Sequence, residues 1–136
     1  MDLADNIETI EAGYEFLLAY AAQGRPAGAE TGPGPHARVT IQGMAGAMTA
    51  INAALANSEN AFERVIAEDC YKAGAALGFL LAQEKIGSEI VDNLNASIHL
   101  RAVLTNLFLY SEAIEPTSEE ETRSMSYDAT QPKSGS

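Results

Sequence analysis

The chain has 136 residues, 46% of them hydrophobic, which suits one globular domain with its own core. Its formal net charge of -11 disfavours direct binding to nucleic acids or to anionic membranes, because an acidic surface is repelled by both. A single cysteine, Cys70, excludes an intramolecular disulfide bond. Cys70 falls on an apolar helical stripe, so we expect it to be a structural thiol and not a reactive one.

The sequence predicts a soluble, cytoplasmic protein. The N-terminal residues MDLADNIETIE have neither the basic nor the apolar region of a signal peptide. No stretch reaches the roughly 18 apolar residues that a membrane-spanning helix needs.

The first predicted helix has apolar side chains at alternating steps of four and three residues, as one face of an α-helix requires. This stripe consists of Leu3, Ile7, Ile10, Tyr14, Leu17 and Ala21. Asp5 followed by Glu8 is typical of a capping box at the start of a helix. Gly24 and Pro26 predict its end, and residues 24–35, rich in Gly and Pro, are predicted to form a flexible connection.

The second predicted helix runs from about His36 to Ala56. Its apolar stripe is Ile41, Met44, Met48, Ile51 and Leu55. Residues 37–43 also alternate as a strand does, but no partner strand is found elsewhere, so a helix is favoured. Gly43 and Gly46 predict the close approach of another helix or of a ligand, since glycine inside a helix costs about 1 kcal/mol relative to alanine.

The third predicted helix begins near Ser58 to Asn60, where Asn60 and Glu63 form a second capping-box pattern. Its stripe is Phe62, Ile66, Cys70, Ala73, Leu77 and Leu80. Gly74 and Gly78 stand one turn apart, which is typical of a seat for a crossing helix. Gly87 and Ser88 then predict a stop and a new N-cap, hence a helical hairpin. One long, kinked helix over residues 60–114 is the alternative.

The fourth predicted helix runs from Glu89 to about Ile114, because Pro116 prevents much continuation. Neighbours three or four residues apart form a mostly polar strip on one side, outside the core. This strip consists of Asp92, Asn95, His99, Val103, Asn106 and Tyr110. Asn93 and Ser97 instead interrupt the core stripe and would need hydrogen-bond partners if buried. Residues 115–136, rich in Ser, Thr and Glu, predict a disordered acidic tail.

Together these patterns predict an all-α fold, an up-and-down antiparallel four-helix bundle over residues 1–114, followed by the tail over residues 115–136. The apolar faces of the third and fourth helices exceed what one small bundle buries. We therefore expect a homodimer or another protein partner.

No pattern of residues predicts an enzyme, a metal site or a cofactor. There is no nucleophile elbow, no buried pair of carboxylates and no zinc-ligand spacing. His99 carries an alternative, phosphotransfer signalling, because histidine phosphotransfer domains are four-helix bundles with a histidine on a helix surface. The basic residue at Arg101, two positions after His99, departs from those domains, which usually have one three positions after.

The function favoured by the sequence is non-enzymatic protein binding, by an adaptor, a regulator or a chaperone-like protein. Met44 and Met48 are candidate contacts because methionine adapts to irregular partners. The other candidate binding residues are Asn95, His99, Asn106 and Tyr110. A third hypothesis is a small-ligand sensor, in which Gly43–Gly46 and Gly74–Gly78 frame a cavity.

Overall fold

The computed structural model describes residues 2–24 and 37–114, and the regular structure in both ranges is helical. The helices are α1 (Leu3–Ala22), α2 (Ala37–Leu55), α3 (Ala61–Leu81), α4 (Ser88–Asn95) and α5 (Ile98–Ile114). The predicted all-α class is confirmed, and residues 37–43 are helical. The predicted flexible connection beyond Gly24 and the predicted tail lie outside the described residues.

The helix starts follow local hydrogen-bonding chemistry. The Asp2 carboxylate accepts a hydrogen bond from the Asp5 backbone N–H at 2.9 Å, so Asp2 caps α1 and the predicted Asp5–Glu8 capping box is wrong. Asp2 precedes the first turn of α1, so its carboxylate can accept from a backbone N–H that has no partner within the helix. Asn60 caps α3 as predicted, since its Oδ1 accepts from the Glu63 N–H at 3.0 Å. The Asn60 backbone N–H, which a capping box would join to Glu63, donates to the Ser58 hydroxyl oxygen at 3.0 Å.

The predicted third and fourth helices are separate, because α3 ends at Leu81 and α4 begins at Ser88. The N-cap of α4 is Gly87, without a side-chain cap, and the predicted capping role of Ser88 is wrong. The Ser88 hydroxyl instead donates to the Tyr20 carbonyl oxygen of α1 at 2.8 Å.

The predicted fourth helix is two helices. It breaks after Asn95, and α5 begins at Ile98. Asn and Ser compete with the helical backbone for hydrogen bonds, so the sequence Asn–Ala–Ser at this point is a weak helix former. On the two sides of the break, polar residues differ in burial: Ser88 and Asn95 of α4 are buried, whereas His99 of α5 is exposed.

Helix α2 packs along both α1 and α3, and α4 packs on α1. The core is apolar, and its largest fully buried side chains include Ile10, Leu17, Ile41, Met44, Met48, Ile51, Ile66 and Leu77. The predicted stripes of α1 to α3 therefore supply the buried side of these helices.

Arg38 ties the start of α2 to the end of α3. Its guanidinium donates to the carbonyl oxygens of Leu81 at 2.9 Å, Gln83 at 2.8 Å and Glu84 at 3.2 Å. These carbonyls lie at or just beyond the C-terminus of α3, where a cation is favoured by the helix dipole. The contact fixes α2 and α3 as antiparallel neighbours.

Among the described glycines compared by the contacts of an added Cβ, Gly13 has the closest neighbours. A Cβ placed there would meet Met44 Cγ at 2.5 Å and Met44 Sδ at 2.6 Å. Gly13 thus lets α1 approach α2 closely enough to contact the methionine. The glycines that the sequence singled out are looser. A Cβ at Gly43 would lie 3.9 Å from the nearest side chain, and one at Gly46 would meet no described atom within 4 Å.

The chain divides into two compact units, residues 1–106 and 107–136, and α5 crosses the boundary. The first unit holds α1 to α4 and the start of α5, where Ile98 is 75% exposed. The described part of the second unit is the end of α5. There Leu107 is buried, and Phe108 and Leu109 are exposed.

Candidate binding surface

The predicted binding residues have different surroundings. Met44 and Met48 are fully buried, one turn apart on α2, so in this conformation their thioethers belong to the core. His99 is exposed near the start of α5, and Tyr110 is half-buried. Asn95 and Asn106 each make a hydrogen bond to another helix. The two methionines are neighbours on one face of α2, and that face is buried.

The expectation that Asn95 lies outside the core is wrong, because its side chain is only 6% exposed. Its amide Nδ2 donates to the Leu17 carbonyl oxygen of α1 at 3.1 Å. Its Oδ1 is buried and has no partner among the residues that the structure describes. Asn93, which was expected to interrupt the core, is exposed, and Ser97 is half-buried.

Three buried hydrogen bonds, each from a side chain to a backbone carbonyl, join α1 to α4 and to Ile86, two residues before α4. Besides the Asn95 and Ser88 contacts, the Tyr20 hydroxyl donates to the Ile86 carbonyl oxygen at 2.9 Å. We call this set the α1–α4 latch. These contacts explain why polar side chains lie beside apolar stripes in the sequence, and their role is to hold the fold together.

Asn106 serves a second structural contact. Its amide donates to the Asp69 carboxylate of α3 at 2.7 Å. A charged acceptor makes this a strong type of hydrogen bond. Asn106 therefore holds the first part of α5 to α3.

The outer side of α2 and α3 carries an exposed surface without charge, which we call the α2–α3 face. Its residues are Gly46, Thr49 and Ala50 of α2 with Tyr71, Ala75 and Gly78 of α3, all exposed. On an α-helix, residues three or four apart are neighbours, so Gly46 adjoins Thr49 and Ala50, and Gly78 adjoins Ala75. This surface was missed at the sequence level, although one signal was present: no residue from Val39 to Ser58 is charged.

A shallow groove of about 320 Å³ runs along this face. It is lined by Met48, Thr49, Asn52, Cys70, Tyr71, Gly74 and Ala75. Of the glycines predicted to frame a cavity, Gly74 lines the groove, and a Cβ at Gly78 would meet no described atom within 4 Å. The floor is polar where Asn52 lies, and the Asn52 amide is already engaged, donating to the Ala67 carbonyl oxygen at 2.8 Å.

Two large aromatic side chains protrude here, Tyr71 from the α2–α3 face itself and Phe79 beside it. Tyr71 is 69% exposed and Phe79, on the next turns of α3, is 66% exposed. The adjacent Glu68 and Lys72 form an ion pair at 3.0 Å, so their charges compensate each other. The face thus combines small residues, a groove and protruding aromatic rings.

Helix α1, unlike the α2–α3 face, is strongly acidic. Residues 2–24 contain five acids and no base. The pKa of the Glu11 carboxyl is raised, first by partial burial and then by repulsion from Glu8 and Glu15. The acids of α1 therefore repel one another, whereas the α2–α3 face carries no charged residue.

Cys70 does not provide a reactive group. The thiol is buried, and burial together with the nearby charge of Asp69 raises its pKa to about 12. A thiol of this pKa is protonated near neutral pH, so the expectation of a structural cysteine is confirmed.

No group of three or more His, Cys, Asp or Glu side chains among the described residues is placed to hold a metal ion. Within the same residues, no helix has both the length and the apolar character to cross a membrane.

Comparisons with protein-family models, with curated proteins and with solved structures gave no match.

Proposed function

We propose that this protein is a non-enzymatic binding module, acting as an adaptor, a regulator or a chaperone-like protein, and that it binds a protein through the α2–α3 face. The observation that carries this proposal is an exposed, uncharged face on a chain whose net charge is -11. Depletion of charge is the compositional mark of the centre of a protein interface.

The glycines of the face support the same function. Glycine inside a helix costs about 1 kcal/mol relative to alanine. A Cβ built at Gly46 or Gly78 would meet no described atom of another helix within 4 Å, so packing between the described helices gives no reason for either glycine. A partner whose backbone lies close to α2 and α3 would supply that reason.

In such an interface, the aromatic side chains would supply much of the affinity. Tyr71 combines a large apolar ring with a hydroxyl, and tyrosine is enriched in protein interfaces for that reason. It borders a groove, where a partner can enclose it on both sides. Enclosed aromatic side chains near the centre of an interface contribute most of its binding energy.

A photo-crosslinking amino acid in place of Tyr71 tests this proposal in cells that make the full chain. The matched control carries the same amino acid in place of Ala12, which is exposed on acidic α1. We expect discrete protein adducts, including adducts with the chain itself, from position 71 and few from position 12. Equal labelling from both positions, or none, would contradict binding at this face.

Phosphotransfer at His99 is a second candidate function, favoured by the exposure of this side chain on α5. Incubation with acetyl phosphate would then transfer a phosphoryl group to an imidazole nitrogen and release acetate. The expected product is an acid-labile phosphoprotein that is absent from His99→Gln. Labelling that persists in His99→Gln would exclude this function.

Small-ligand sensing is a third candidate, favoured by the groove of about 320 Å³, which lies at the lower end of the roughly 300–1,000 Å³ of ligand sites. A ligand that binds only the native state raises the unfolding temperature. Such a rise should disappear in Ala75→Arg, which fills the groove from an exposed position. We further propose a cytoplasmic location, which agrees with the free thiol of Cys70.

A further inference from the structure

We infer that the protein bound at the α2–α3 face is a second copy of this chain, docked about a two-fold axis. This inference rests on the proposed function, protein binding at the same face, and specifies its partner. In a two-fold dimer, each copy contributes the same surface, so the face must complement itself in charge and in shape.

Charge restricts where two copies can meet. Each copy has a net charge of -11, and like charges brought together across an interface cost several kcal/mol. The acids of α1 therefore oppose self-docking through that helix. The α2–α3 face has no charged residue, and the neighbouring Glu68 and Lys72 are paired with each other. Two copies can meet here without burying an unpaired charge.

Shape gives the second reason. The α2–α3 face holds both a protruding ring, Tyr71, and a groove beside it, bordered by Thr49 and Ala75. In the proposed dimer, the ring of each copy would lie over the groove of the other. A face with both elements can complement itself, as a two-fold interface requires.

The position of the glycines adds a third reason. The contacts of Arg38 with Leu81 and of Asn52 with Ala67 fix the antiparallel register of α2 and α3. This register places Gly46 at about the level of Gly74, where a Cβ would lie 3.9 Å from Met48 Cβ. Gly74 thus faces α2, while Gly46 and Ala75, both exposed, lie at nearly the same level. We propose that α2 of a second copy approaches at these two small residues.

The oligomeric state of the full chain tests the inference. Sedimentation equilibrium and light scattering over a wide concentration range should show a monomer–dimer equilibrium. Gly46→Glu should raise the dimer dissociation constant by at least about a hundredfold, because it places two like charges across the axis. Gly46→Glu also replaces glycine in an open helical position, so the monomer should remain folded and gain thermal stability.

The matched control is Thr105→Glu, which adds the same charge at an exposed position of α5, one turn after Arg101. Its dissociation constant should stay within about threefold of the unmodified chain, since surface changes away from an interface have small effects. A dimer lost in Thr105→Glu but kept in Gly46→Glu would overturn the inference, because the interface would then lie elsewhere.

Failure of the inference and failure of the proposed function give different results. If the chain is monomeric at all concentrations but forms adducts from position 71 with a different protein, the inference of a second copy is wrong and the proposed protein binding still stands. A monomer that forms no adducts from position 71 contradicts both. Adducts between two copies from position 71, lost in Gly46→Glu, support both.

Discussion

Replacement of Asn95 by leucine should stabilise the protein, although it removes an observed hydrogen bond. The side chain is 6% exposed and its Oδ1 lacks a partner in the described chain. A buried polar group without a partner lowers the free energy of unfolding by about 1–3 kcal/mol, whereas the hydrogen bond from Nδ2 to the Leu17 carbonyl raises it by about 1 kcal/mol. That carbonyl lies inside α1, where the backbone N–H four residues later also binds it. We expect a net gain of about 1 kcal/mol, equivalent to a rise of about 4–8 °C in Tm.

Asn95→Asp should have the opposite effect. It places a buried carboxylate against the Leu17 carbonyl oxygen and removes the donor, which should cost about 3 kcal/mol or more at pH 7. Burial raises the pKa of such a carboxyl in the folded state, so the lost stability should return as the pH falls and the group becomes protonated. Both variants leave the backbone of α4 intact.

Urea unfolding followed by circular dichroism measures these free energies. Asn93→Leu is the matched control, because Asn93 is an exposed asparagine on the same helix, and we expect a change within about 0.5 kcal/mol. If Asn95→Leu instead destabilises the protein by 1 kcal/mol or more, the reasoning is refuted, since Oδ1 must then have a partner in solution, such as an ordered water.

Three more predictions concern the packing and charge of the fold. Gly13→Ala should destabilise the protein by about 1–2 kcal/mol, despite the better helix propensity of alanine, because the new Cβ would overlap Met44. A double-mutant cycle with Met44→Ala should show coupling between the two positions, and additive changes in the free energy of unfolding would refute the overlap. Arg38→Ala should lower the free energy of unfolding, measured by thermal denaturation, by about 1–3 kcal/mol. Arg38→Lys should not restore this stability, because lysine lacks the planar guanidinium that reaches three carbonyls, and full recovery with lysine would contradict this role. The pKa of the Cys70 thiol is raised from 9.0 to about 12 in the folded chain, so its stabilising contribution is complete below pH 9 and is lost as the pH rises toward 12. Urea unfolding should show this loss as a fall in the free energy of unfolding of up to about 1.4 kcal/mol per pH unit. Cys70→Ala should lack the fall, and identical pH profiles of the two proteins would argue against it.

The three long helices before Leu81 were predictable because their apolar stripes are long and regular. Ile10 and Leu17 in α1 and Ile66 in α3 were all expected on the buried side, and all are buried. The break after Asn95 was not predictable from periodicity, since apolar residues continue on both sides of it. It is accompanied by a tertiary contact, the bond from Asn95 to Leu17, which joins residues 78 apart in sequence.

The candidate site was harder to predict for a related reason. Glycine spacing identified Gly43 and Gly46 as points of close approach, but spacing does not reveal which face of α2 each helix covers. The tight contact within the chain lies instead at Gly13, beside the side chain of Met44. The absence of charge from Val39 to Ser58 is visible in the sequence, yet its location on an outer face follows only from the packing of α1 and α3 on either side.

The α1–α4 latch also has a consequence for the order in which the chain folds. Helices α1, α2 and α3 pack against their neighbours in the chain, whereas the latch joins residues 66 to 78 apart. Closing a longer loop costs more entropy, so we expect α4 to dock after α2 and α3 have paired. Helix α4 has only eight residues, too few to persist alone in water. Its backbone amides should therefore exchange with deuterium through local opening, faster than the buried amides of α2.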